Sequence, residues 1–166
     1  MNRRQWLIRL SGLSLLTLLP ITGKTKDAVP PLMKSKAEWK SLLPPDRFRI
    51  LFEEETEPSF SSLLNAEKRD GTFICAACYL PLFDSSRKFD SGTGWPSFWD
   101  ILPGAVATKK DFKLIWPRTE YHCARCGGHQ GHVFNDGPAP TGLRYCNNGL
   151  ALEFTPKNKP LPALRS

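Results

Sequence analysis

Two cysteine pairs of identical spacing, Cys75-Ala76-Ala77-Cys78 and Cys123-Ala124-Arg125-Cys126, lie 44 residues apart in a chain of 166. Each pair turns two thiols toward one point. Two such knuckles supply the four sulfurs of a closed tetrahedral site, the donor set of structural zinc or another thiolate-loving metal. Such a shell leaves no position open for substrate. Gly127-Gly128 lets the backbone turn tightly beside the second knuckle, and the long separation makes the metal a tie between distant segments of one fold. The same cysteines also admit two disulfides in an exported chain or a redox dithiol, although neither knuckle sits in a βαβ pattern. The doubled spacing favours the metal.

The chain has five cysteines, so Cys146 is left over. Alone it reads as a small buried hydrophobe. In an extended segment, however, Arg144 and Asn148 share its face; a guanidinium favours the nucleophilic thiolate, and an asparagine amide can donate to a developing oxyanion or orient a histidine. His129 and His132 follow the second knuckle. Glycines at 127, 128 and 131 argue against a helix, and no glutamate completes a zinc-protease pattern. Acid–base service to Cys146 is therefore the better use of the pair, with Asp136 placed to orient an imidazole. His122 is left without a chemical role.

The formal charge of +7 suggests a nucleic-acid or membrane-surface protein only until it is located. Residues 1–27 hold five basic side chains against Asp27, a net of +4. Paired Arg3-Arg4 precede a short apolar run, a pattern that resembles a twin-arginine export signal. A metal dication on four thiolates contributes −2 to the remaining +3, so the domain approaches neutrality. A nucleic-acid partner is not expected. The expected organisation is a signal segment over 1–28, a linker over 29–36, one domain over 37–156 and a loose tail over 157–166. The chain is then exported to the periplasm, or tethered to the membrane through an uncleaved N-terminus, as a monomer.

Within the domain, apolar spacing predicts a short helix from Ala37 to Leu43, stopped by Pro44-Pro45. A second helix is expected from Asp46, with Asp46 as its cap and Pro45 outside. Strands are expected at Gly71–Ile74, Lys113–Trp116 and Leu150–Phe154. Seven prolines from 81 to 156 forbid long central helices. The fold class is mostly β: small sheets joined by turns behind short N-terminal helices.

Several blocks now fall in order: Cys75–Phe83, Lys88–Phe98 with Gly92-Thr93-Gly94-Trp95-Pro96, Arg118-Thr119-Glu120, Cys126–Phe134 and Thr141–Cys146. Over residues 37 to 156 the chain resembles the B-type peptide methionine sulfoxide reductases. The resemblance implies two antiparallel sheets, one structural zinc on Cys75, Cys78, Cys123 and Cys126, and reduction of methionine R-sulfoxide, mainly within proteins. It places the reactive thiol on Cys146. Acid and orienting groups fall on His129, His132, Asp136, Arg144 and Asn148, and the aromatic that holds the substrate methyl group on Trp95. A histidinium would protonate the departing oxygen, leaving Cys146 as a sulfenic acid.

Many members carry a second, resolving cysteine where this chain has Thr93. With four cysteines on metal and one attacking, none remains for an internal disulfide. The expected reductant is external, a thioredoxin-like protein or a small thiol. Asn147 stands where the family is usually apolar, and Tyr79 where it is usually smaller. A zinc-ribbon binding module would explain the knuckles but not Arg144-Tyr145-Cys146-Asn147-Asn148, and a zinc deaminase needs a His-x-Glu that is absent here.

Overall fold

A computed structural model describes residues 29–112 and 118–166. The export-like segment and the expected strand at 113–116 lie outside the described residues.

Two short helices come first. Helix α1 (Lys36–Leu42) opens on a capping box: Ser35 Oγ accepts from the Glu38 amide, and Glu38 accepts from the Ser35 amide at 2.7 Å. Helix α2 (Pro45–Glu53) begins two residues earlier than a helix capped by Asp46 would, with Pro45 inside its first turn and Pro44 at the cap position. Proline tolerates that place because the first-turn amide has no intrahelical partner to lose. Asp46 therefore sits within the helix rather than capping it. The buried Trp39 of α1 stacks on Phe52 of α2, with centroids 5.0 Å apart.

The rest is antiparallel sheet and turns. Strands β1 (Gly71–Cys75), β2 (Pro81–Asp84), β3 (Lys88–Phe89), β4 (Ser97–Phe98), β5 (Val106–Asp111), β6 (Arg118–Cys123), β7 (His129–Phe134), β8 (Arg144–Asn147) and β9 (Leu152–Pro156) form two sheets. One is ordered β2-β1-β9 and the other β3-β4-β8-β7-β6-β5. The expected strand at 71–74 lies in β1. That at 150–154 is realised from Leu152 onward, because Gly149–Ala151 form a 3-10 turn. This turn carries the chain from β8 in the larger sheet to β9 in the smaller.

The core lies between the sheets. Phe83 and Phe98 stack at 4.0 Å, Phe73 meets Phe98 edge-on at 4.9 Å, and Tyr121 and Tyr145 complete the aromatic layer. Burying each of these rings stabilises the fold by about 1.5–3 kcal/mol. The chain's end is anchored: the Arg165 amide donates to the Cys78 carbonyl at 3.1 Å, and its guanidinium lies over Tyr79 and donates to the phenol oxygen at 2.6 Å.

Candidate active site and metal centre

The knuckles are built alike. Tyr79 donates its amide to the Cys75 carbonyl and Gly127 donates to Cys123, both at 2.9 Å, and both residues take positive φ, 65° and 72°. Glycine adopts that conformation freely, whereas Tyr79 bears a steric cost that its bond and stacking with Arg165 help to offset. The four sulfurs lie within 4.8 Å of one another, with Cys75–Cys126 at 3.7 Å and Cys78–Cys123 at 3.5 Å. A disulfide needs about 2.05 Å, and all five cysteines are free. A tetrahedral shell with metal–sulfur bonds of about 2.3 Å has edges of about 3.8 Å, which fits these separations. Burial pushes the Cys75 thiol well up, so four crowded thiolates need a cation. The donor set suits a metal ion that ties the end of β1 to the end of β6.

The chemistry occupies the face of the larger sheet opposite the aromatic core. Paired residues of antiparallel strands share a face, and the register aligns a row across five strands. Ser97 of β4 pairs with Cys146 of β8, Cys146 with His132 of β7, His132 with Glu120 of β6, and Glu120 with Lys109 of β5. Arg144 stands two residues before Cys146 on the same face, as expected. Tyr145 and Asn147 point into the core, where the fully buried Asn147 accepts from the Tyr121 hydroxyl at 2.6 Å and donates to the Asn148 carbonyl at 2.7 Å. The polar residue at this ordinarily apolar position is therefore satisfied.

In a regular strand residues i and i+3 face opposite sides. Here an extra residue, Gln130, bulges from β7, because Tyr121 pairs with Gly131 while His122 pairs with His129. The bulge returns His129 to the face of His132, with ring centroids 5.6 Å apart. Gly131 is required for the close approach of β7 and β8, since a Cβ there would lie 1.9 Å from the Cys146 carbonyl oxygen.

The orienting carboxylates differ from the expected one. Asp136 does not touch either imidazole; it accepts a forked pair from Arg144 at 2.8 and 2.9 Å, which fixes the guanidinium between Asp136 and the Phe134 ring. His132 Nε2 instead lies 2.8 Å from Asp111 Oδ2, which also accepts from Arg118 at 2.7 Å. His129 Nδ1 lies 2.8 Å from Glu120, and Lys109 bridges Glu120 to Glu54. Neither Asp111 nor Glu120 was given a role from the sequence, although Glu120 belongs to one of the matching blocks. Both lie on strands with weak local patterns, and only cross-strand register brings them to the imidazoles.

Asn148 lies beside the site, but its amide is engaged elsewhere, accepting from the Glu57 amide and donating to the Gln130 carbonyl, both at 3.1 Å. It holds segments together and orients no histidine. Glu57 is a third residue missed from sequence. Its carbonyl accepts from Trp95 Nε1 at 3.1 Å, and its buried carboxylate accepts the amides of Gly149 and Leu150 at 2.6 and 2.9 Å. Glu57 thus pins the Trp95 turn to the chain just after Cys146. His122 is half-buried, and burial lowers its proton affinity; it takes no part in the row.

Cys146, His132, Trp95, Phe134, Arg118, Thr56 and Asn148 line a pocket of about 130 Å³, a volume of about four waters. His129 is not on its wall. Burial pushes the Cys146 thiol above its ordinary value, while Arg144 and the Thr93 hydroxyl pull it back. Burial likewise lowers His132, and Asp111 opposes the shift. A larger groove of about 730 Å³ beyond Glu57 contains no cysteine or histidine among its lining residues.

The SelR domain matches residues 43–156. The chain is 49% identical over 122 residues to the peptide methionine sulfoxide reductase MsrB of Leptospira interrogans, covering 73% of this chain and 93% of that protein. It is 50% identical over 126 residues to MsrB of Thiobacillus denitrificans, covering 75% and 96%. With MsrB of Methanosarcina barkeri it shares 49% over 122 residues, covering 73% and 86%.

Proposed function

The chain belongs to the SelR-domain family of B-type peptide methionine sulfoxide reductases, and on that premise we propose that Cys146 is the thiol that takes oxygen from methionine R-sulfoxide. The protein is an oxidoreductase acting on peptide methionine sulfoxide. The observation that carries the residue assignment is the pairing of Cys146 with His132 at the wall of a small pocket faced by Trp95.

The methyl group packs on the Trp95 indole, whose Nε1 is tied back to Glu57 and so leaves the ring face to substrate. The Cys146 thiolate attacks the sulfoxide sulfur while His132, held by Asp111, protonates the oxygen. Thiolate, sulfoxide and one proton give methionine and a sulfenic acid on Cys146; the substrate sulfur gains two electrons and the cysteine sulfur loses two. One external thiol condenses with the sulfenic acid, releasing water and forming a mixed disulfide. A second thiol frees Cys146 and leaves as the oxidised reductant. The reductant is external because the four other cysteines belong to the metal cluster. A thioredoxin-like protein or a small thiol supplies this chemistry.

Zinc is the ion best suited to the four sulfurs, and its role is structural, since all four positions are filled by protein. The N-terminal 28 residues serve export, and sequencing the mature N-terminus from fractionated cells tests this. The catalytic reading is tested with R and S sulfoxides of a blocked methionine and dithiothreitol. R-only turnover that is abolished in Cys146→Ser is the expected result. A Cys146→Ser protein that still reduced the R epimer would overturn the assignment. One equivalent of substrate without reductant should leave a trappable sulfenate on Cys146.

A further inference from the structure

The residue that bulges from β7 has a side chain with no part in the chemistry just described. Gln130 is fully buried. Its Nε2 donates to the sulfur of Cys75 at 3.5 Å and to the Gly128 carbonyl at 3.4 Å. Its Oε1 accepts from Asn147 Nδ2 at 3.5 Å, and its backbone carbonyl accepts the amide and the Nδ2 of Asn148 at 2.8 and 3.1 Å. Asn147 and Asn148 directly follow Cys146. Asn147 in turn accepts from the Tyr121 hydroxyl at 2.6 Å. One residue thus meets a sulfur of the metal cluster on one side and the chain beside the reactive cysteine on the other.

These bonds have one consistent direction. A carbonyl only accepts, so Gly128 fixes which end of the Gln130 amide faces the cluster, and the Asn148 carbonyl does the same for Asn147. Every hydrogen then runs one way: from Tyr121 to Asn147, from Asn147 to Gln130, and from Gln130 to the Cys75 sulfur. A metal-bound thiolate at the end of that path is a charged and therefore strong acceptor. Aligned hydrogen bonds in a buried site polarise one another. An apolar side chain at position 147 would leave Gln130 Oε1 and the Tyr121 hydroxyl buried without these partners.

We propose that Gln130 is a positioning residue that couples the metal centre to the strand of Cys146, holding the Cys75 sulfur by an N–H···S bond and Asn147 and Asn148 by its two oxygens. This coupling rests on the four cysteines holding a metal ion, and not on the attack assigned to Cys146. Coupling between two sites is reciprocal. A change at Asn147, one side chain removed from the sulfur, is felt at the metal, and loss of the metal loosens the segment after Cys146. Four thiolates and a dication leave net negative charge in the cluster. The Gln130 bond stabilises that charge, and losing it raises the sulfur lone pairs in energy.

The test uses the full chain loaded with cobalt(II) in place of zinc, whose sulfur-to-metal charge-transfer band reports the energy of the sulfur lone pairs. Gln130→Leu should move the band to longer wavelength and speed metal release to a chelator about tenfold, the usual effect of removing a partner that supports a metal ligand. Asn147→Leu should move the band the same way by less and speed release about threefold, a coupling of ordinary size for bonded neighbours. In the double variant release should match Gln130→Leu alone, because the path is already cut. Methionine, similar in length to glutamine and without a donor, replaces leucine at either position where the leucine variant does not fold. An unmoved band in the Gln130 variant, wild-type release from the Asn147 variant, or single effects that multiply in the double variant would overturn the coupling. A wild-type chain that takes up neither cobalt nor zinc would instead refute the metal centre on which it rests. Neither readout needs sulfoxide, so the outcome is independent of the role of Cys146.

Discussion

Replacing Asp111 with asparagine removes a charge while keeping the shape of the side chain. The carboxylate sits 4% exposed between His132 at 2.8 Å and Arg118 at 2.7 Å. Its charge-assisted bond favours the imidazolium of His132 and opposes the burial that lowers it. Such a bond contributes about 1.5 kcal/mol or more, equivalent to about one pH unit. Attack requires a thiolate at Cys146 together with an imidazolium at His132. Burial has pushed the thiol up and the imidazole down, so each required form is the minor one at neutral pH. Between the two ionisations kcat/KM is flat, because gain of thiolate cancels loss of imidazolium; the acid limb then breaks where His132 titrates. Asp111→Asn should lower the plateau about tenfold and move the acid break down by about one pH unit. Both changes measure the same altered proton affinity. The assay is kcat/KM for a blocked R-sulfoxide from pH 4.5 to 9.5 with saturating dithiothreitol, with thermal unfolding at each end to confirm folding. A plateau that fell while the acid break stayed in place, or a variant with wild-type kinetics, would refute His132 as the acid held by Asp111.

Trp95→Ala removes the aromatic wall and should raise KM for R-sulfoxide roughly tenfold, whereas Trp95→Phe keeps a ring face and should recover most of it. Cys123→Ser should abolish metal retention measured by elemental analysis. It should also lower the unfolding temperature by about 10 °C, the effect of losing a few kcal/mol at this chain length. Phe83→Ala opens a void beneath Phe98 and should cost about 3–5 kcal/mol in urea unfolding. The folded proton affinity of His132 lies below its unfolded value of about 6.5, so its contribution to stability is present above that pH and declines as acid is added. His132→Gln should flatten this part of the stability profile between pH 6.5 and 5.

Spacing carried the four-cysteine cluster, and the many turn residues and short β-rich runs carried the mostly β class. Helix α1 was legible because Trp39, Leu42 and Leu43 recur at helical spacing before Pro44-Pro45. Most of the larger sheet was not. Strand β5 reads Val-Ala-Thr-Lys-Lys-Asp, a largely exposed edge with no apolar alternation. Strand β7 contains two histidines, a glutamine and a glycine in six residues. Their partners are assigned by long-range pairing, which no local window records. For the same reason the sequence suggested Asp136, near His132 in the chain, whereas the carboxylate in contact is Asp111, two strands away. Glu57 was hidden because its service to the site runs largely through its backbone.

Strand side chains obey parity, and the bulge at Gln130 changes parity once within β7. Deleting Gln130 would exchange no faces: with Gly131 and His132 kept in register by Asn147 and Cys146, His129 would directly precede Gly131 and share the face of His132, as residues i and i+2 of a flat strand do. Faces exchange instead if Gln130 is kept and drawn into the ladder as an ordinary paired residue. His129 would then turn toward the aromatic layer and lose Glu120, with not one residue of the sequence changed. The defective strand and the working one would have the same composition and differ only in where one residue is left unpaired.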